Sequence, residues 1–97
     1  MNRTDALARL NTYAPAIRRM GATALYMFGS VARDEPAARD LDLFIDYNPS
    51  EPFSMIELVG IKQFLEEKLN VDVDLTTRDS LHPLLKHDIE QSAIRVF

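Results

Sequence analysis

A chain of 97 residues lies near the lower end of what sustains one hydrophobic core, so it reads as a single domain over 1–97 with room for one site. Its 46% hydrophobic and 27% charged residues are those of an ordinary globular protein, and the absence of cysteine excludes a disulfide framework and a thiolate metal centre. With a net charge of −4, no secretory leader and no apolar run of roughly 20 residues, a cytoplasmic protein is expected that grips neither nucleic acid directly nor a membrane.

Ala6, Leu7 and Leu10 recur at helical spacing behind a capping Thr4, which predicts a short helix from Thr4 to Leu10. Asn11 and Thr12 can cap a second helix, with Pro15 in its first turn, Ile17 and Met20 facing inward and Gly21 ending it. The apolar run Ala22 to Phe28, stopped by Gly29, fits a buried strand. A second strand is clearest from Asp40 to Tyr47, where Asp40, Asp42, Phe44 and Asp46 alternate with Leu41, Leu43, Ile45 and Tyr47. Ser54 and Glu57 form a capping box that opens a helix to about Leu69, lined inside by Ile56, Val59, Gly60, Phe64 and Leu65. Val71 to Thr76 alternates again as a third strand, and Thr77 or Asp79 can cap a last helical region carrying Leu81, Leu84, Leu85 and Ile89. The segment from Ala93 to Phe97 is too short to assign. This order implies an α/β fold, a small mixed β-sheet covered by helices.

Two carboxylates at i and i+2 of a strand share one face, roughly 6–7 Å apart. Asp40 and Asp42 meet that condition, and such a pair held together while ionised repels by on the order of 2–3 kcal/mol at an effective dielectric near 20. A cation relieves this, and Mg²⁺ suits carboxylate oxygens shared with water and phosphates. Asp74 on a neighbouring strand, about 4.8 Å away if adjacent, can complete the group. Alternating aspartates also occur on sheets that merely face water. Metal binding is favoured because Asp is depleted in strands, and here two strands repeat the pattern. Asp46 and Asp72 read as solvated. Gly29 and Ser30 after a buried strand allow a phosphate to approach the backbone, with Arg33 adding charge, although a Gly-Ser pair more often makes an ordinary cap. His82 and His87 read as exposed, and the four methionines as core filler.

Phe28-Gly29-Ser30-Val31-Ala32-Arg33, then Asp40-Leu41-Asp42-Leu43, then Val73-Asp74-Leu75 together resemble the signature of minimal nucleotidyltransferases in the DNA polymerase β superfamily. The resemblance runs over nearly the whole chain and implies the polymerase β-like nucleotidyltransferase fold. By it, Gly29 and Ser30 are the phosphate-binding turn, Asp40 and Asp42 the metal-binding pair, and Asp74 the third carboxylate that helps deprotonate the attacking hydroxyl. Nine residues separate Ser30 from Asp40, Asp34 stands where glycine is frequent in that family, and Arg39 where serine is. Many such proteins are antitoxins that silence a HEPN-domain ribonuclease by attaching AMP to a tyrosine. The expectation is therefore Mg²⁺-dependent transfer of AMP from ATP to a partner's hydroxyl; the alternative is an inactive domain of the same fold that neutralises its partner by contact alone.

Overall fold

The alternating segments pair as their patterns require. In the computed structural model, which describes residues 1–97 throughout, β1 is Ala22–Phe28 and β2 is Leu41–Tyr47. They run antiparallel, with Leu25 opposite Ile45, Tyr26 opposite Phe44, Met27 opposite Leu43 and Phe28 opposite Asp42. β3, Val73–Thr77, lies parallel to β2 on its far side and sets Asp74 opposite Asp42. A parallel pair needs a crossover, and α4, Met55–Leu69, supplies it. The sheet order is β3-β2-β1-β4, closed by β4, Ile94–Arg95, on the free edge of β1. This last strand lies in the segment too short to assign from sequence. It is held by the Val96 N–H donating to the Leu25 carbonyl at 2.8 Å, with the Val96 side chain buried.

One face of the sheet is the core. Leu25, Met27, Leu41, Leu43, Ile45, Val73 and Leu75 pack there against α1, Arg3–Thr12, and α2, Ala14–Arg19, together with α4. A fully buried Leu or Ile contributes roughly 1.5–3 kcal/mol of transfer free energy, so this face dominates stability. The cap of α1 is Asn2 rather than Thr4: the Asn2 side chain accepts from the Asp5 N–H at 2.8 Å. Nor do Asn11 and Thr12 cap α2, since the Asn11 amide donates to the Val96 carbonyl and the Thr12 hydroxyl to that of Ala8. Pro15 does occupy the first turn of α2.

The capping box of Ser54 and Glu57 forms at the start of α4, and Leu65 is buried with Phe64 packed on the core as expected, but Ile56 and Val59 face outward. Its buried residues are Ile61, Leu65 and Leu69, while Ile56 is 82% exposed and Met55 and Val59 are also exposed. Apolar residues ring this helix, so periodicity alone cannot select a face. The exit does: Asn70 turns left-handed at φ 55°, and Glu66 accepts from the Val73 N–H at 3.0 Å, tying the helix to the start of β3. The last helical region is also shorter than expected. Thr77 donates to the Ser80 hydroxyl beside a 3-10 turn, Arg78–Ser80, and α5 spans only Lys86–Ser92. Leu81 is buried, but Leu84 and Leu85 are exposed. Pro83, which lacks an amide hydrogen, stands between the two pieces.

Candidate active site

The pleat turns Tyr26, Phe28, Asp42, Phe44, Asp46, Asp74 and Thr76 to the face opposite the core. Their neighbours divide this face into two parts. At one end, where β1 finishes and β2 and β3 begin, Asp42 and Asp74 stand opposite one another, with Asp40 just before β2. Asp42 is half-buried; Asp40 and Asp74 are exposed. Burial, then the charge of Asp74, then that of Asp40 push the Asp42 carboxyl above its ordinary value of 3.8, with Arg33 pulling the other way. The fold therefore places a carboxylate where its ionised form is disfavoured and supplies too little positive charge to offset that.

Gly29 explains how the chain reaches this arrangement. It opens α3, Gly29–Ala32, at φ +77°. A β-carbon there would stand 2.1 Å from Asp42 Oδ2 and 2.9 Å from its Cγ. Glycine is thus required for both its backbone angle and its missing side chain. Ser30, next on α3, shares a cleft of about 450 Å³ with Asp40, walled by the loop from Glu35 to Arg39. A second cleft of about 430 Å³ lies on the other side of Asp40, against Asn70 and Asp72. Arg33 is exposed and engaged with Glu35, its Nη2 2.7 Å and Nε 3.1 Å from Glu35 Oε2.

No three acidic or histidine side chains stand close enough to form a ready-made metal cage. The donor set nonetheless fits Mg²⁺: hard carboxylate oxygens at neighbouring positions, one of them made harder to ionise by burial and then by the other two. That ion binds through one or two carboxylates plus water and substrate phosphates, not inside an all-protein shell.

The loop after α3 turns through two left-handed residues. Asp34 is left-handed at φ 57°, a conformation that explains why glycine suits the position, and its Oδ1 accepts from the Arg3 N–H at 3.0 Å, holding the start of α1. Ala37 is left-handed too, at φ 63°.

The other end of the face corrects the reading of Asp46 as a solvated residue. Arg78 grips it with two hydrogen bonds, Nε to Oδ1 at 2.8 Å and Nη2 to Oδ2 at 3.1 Å, and reaches Glu90 on α5 at 2.7 Å. The guanidinium also lies over the Tyr26 and Phe44 rings, at 4.8 and 5.0 Å from their centroids. Phe44, which shares its alternation with the acidic positions of β2, is fully buried, stacked on Tyr26 at 4.7 Å. Arg78 was detectable in principle: the parallel register that pairs Ile45 with Thr77 puts Asp46 beside Arg78 one step later. Asp72, His82 and His87 are exposed, as expected.

This architecture and sequence have close relatives. A sequence profile described as the nucleotidyltransferase domain matches residues 10–96. Two proteins of Methanocaldococcus jannaschii, each named as a candidate protein adenylyltransferase, are 37% identical over 75 residues, covering 75% of this chain and 74% of theirs, and 36% identical over 83 residues, covering 84% and 87%. A solved structure described as a candidate minimal nucleotidyltransferase superposes with TM-score 0.79 at 30% identity, over 97% of this chain and 95% of its own. The fold also matches, at TM-score 0.65 and 19% identity over 90% of this chain and 68% of that one, a complex of the tri-AMPylated Shewanella oneidensis HEPN toxin with its MNT antitoxin. On the extent of the profile match and the identity to these relatives, the chain belongs to the nucleotidyltransferase domain family.

Proposed function

We propose that residues 1–97 act as one minimal unit that transfers AMP from ATP to a hydroxyl of a partner protein, and that the partner is a HEPN-domain toxin modified on tyrosine. The observation that carries this reading is the placement of Asp42 against Asp74, with Gly29 pressed onto the Asp42 carboxylate and Ser30 sharing a cleft with Asp40. The names of the Methanocaldococcus relatives and the AMPylated toxin in the Shewanella complex support the choice of reaction and partner.

Asp40, Asp42 and Asp74 would hold Mg²⁺, which when bound neutralises phosphate charge. The Gly29-Ser30 turn offers backbone amides and a hydroxyl to the phosphate oxygens. Arg33 can release Glu35 to join them, because an exposed ion pair is worth only about 0–1 kcal/mol. Asp74, exposed on β3, accepts the proton of the acceptor hydroxyl as its oxygen attacks the α-phosphorus. The bond from that phosphorus to the β-phosphate oxygen breaks in line, and pyrophosphate leaves. The catalytic groups occupy much of so small a domain, so the acceptor should be a macromolecule that brings its own contacts. The chain's acidity favours a protein hydroxyl over a nucleic-acid end.

The test is intact-mass measurement of a HEPN-domain protein after incubation with this chain, ATP and Mg²⁺. Additions of AMP that map to tyrosine are expected, and none with Asp40→Asn or Asp42→Asn. A partner that is bound and silenced without any mass change would overturn the enzymatic reading in favour of neutralisation by contact.

A further inference from the structure

A second arginine, besides the one suggested by sequence, borders the clefts beside Asp40. Arg33, read there as the phosphate arginine, is committed to Glu35. The remaining ion pairs involve Lys62 with Glu66, and Arg78 with Asp46 and Glu90. Arg39 enters none of them. It is exposed, directly precedes Asp40, and lines both clefts that flank that carboxylate, one with Ser30 and the other with Asn70 and Asp72. Two of the acids around it are already engaged, Glu35 by Arg33, and Glu66 by Lys62 and the Val73 N–H.

A triphosphate brings several negative charges to a site that already holds Asp40, Asp42 and Asp74. A guanidinium without a committed partner gains more from such a ligand than one that must first give up a carboxylate, and its planar fork matches two phosphate oxygens at once. The loop fixes where that fork starts. Ala37 is left-handed, the Ala38 N–H donates to the Glu35 carbonyl at 3.2 Å, and β2 begins at Leu41, so the Arg39 backbone is anchored on both sides while its side chain is free.

We propose that Arg39 is a binding residue for the departing phosphates of the nucleotide. The assignment rests on the nucleotidyl-transfer reading and goes beyond it, since it moves the main cationic contact from Arg33 to a residue unique to neither cleft.

Calorimetry with α,β-methylene ATP and Mg²⁺, and separately with AMP, tests this on wild type, Arg39→Ala, Arg39→Lys and Arg33→Ala. Because Arg39 holds nothing in the fold, Arg39→Ala should melt like wild type. Its affinity for the analogue should fall roughly tenfold, the scale of a lost charge-assisted contact. Arg39→Lys should recover part of that loss, Arg33→Ala should lose no more than about threefold, and AMP binding should be unchanged in all. Wild-type affinity in Arg39→Ala, a larger loss in Arg33→Ala, or an equal loss for AMP overturns the assignment to Arg39 and leaves the transferase reading standing. A wild-type protein that binds no analogue overturns both.

Discussion

Asp42 and Asp46 are the same residue type, on the same strand and the same face, four positions apart, yet the fold treats them in opposite ways. Asp46 is gripped by both arms of Arg78, which is itself laid over two aromatic rings and held by Glu90. Its charge is spent inside the protein, and it ties α5 and the end of β3 to the sheet. Asp42 is half-buried beside Asp74 and Asp40, with only the pull of Arg33 to favour its charge. A carboxylate the fold neutralises serves structure. One that the fold crowds with like charges is open to an outside cation, and this contrast, not the presence of an acidic face as such, separates the proposed site from the scaffold.

The comparison is broken most severely at Asp42. Asp42→Asn keeps the shape and removes the charge, and AMP transfer should fall by on the order of 10²-fold or more at saturating ATP and Mg²⁺. Asp46→Asn should transfer at nearly the wild-type rate. Equal losses in the two variants, read by the same mass assay, would erase the distinction.

Gly29→Ala attacks the same carboxylate from behind. The new β-carbon collides with Asp42 Oδ2 and sits at a φ that side chains rarely adopt, so the variant should lose about 1–3 kcal/mol of stability along with most of its transfer. Denaturant unfolding measures the first effect, and an unchanged midpoint would mean that Asp42 can move aside freely.

On the structural side, Asp46→Asn should cost about 1 kcal/mol, because it weakens a partly buried charge-assisted pair while Glu90 still holds Arg78. For a chain of this size that is a fall in Tm of roughly 4–8 °C. No fall would show that Arg78 is held by the rings and Glu90 alone.

The smallest effect has the opposite sign. The Asp42 carboxyl is pushed above 3.8 in the folded protein, so the native state binds its proton more tightly than the unfolded chain does. Wild type therefore gives up stability as pH rises through that folded value, and the cost is fully present at neutral pH. Asp42→Asn should melt slightly above wild type at pH 7, with the gain vanishing as pH falls below the ordinary Asp value. A gain that persists in acid would point to something other than charge.

Strands were more legible than helices, and the reason lies in their residues. Leu41, Leu43 and Ile45 alternate with polar or aromatic neighbours, and a period of two leaves little choice of face. In α4 the apolar residues Ile56, Val59, Ile61, Phe64 and Leu65 surround the axis, so the pattern picks out Phe64 and Leu65 but puts Ile56 and Val59 inside in place of Ile61. β4 is two residues long, too short for any period. Phe44 shares the face of the aspartates by its alternation, and there it is the floor on which Tyr26 and Arg78 stack.

By itself, the sequence determined the order of the main elements, the capping box at Ser54, the glycine turn after β1, and the spacing that puts Asp40 and Asp42 on one strand edge, because these depend on near neighbours and on backbone sterics. Only the tertiary structure decided which carboxylates stay unpaid for. Parallel pairing of β2 with β3 sets Asp74 beside Asp42 and, four residues on, Arg78 beside Asp46, while the loop leaves Arg39 free and Arg33 engaged. The fates of Asp42 and Asp46 depend on residues more than thirty positions away, and their electrostatic consequences follow distance in space and not along the chain.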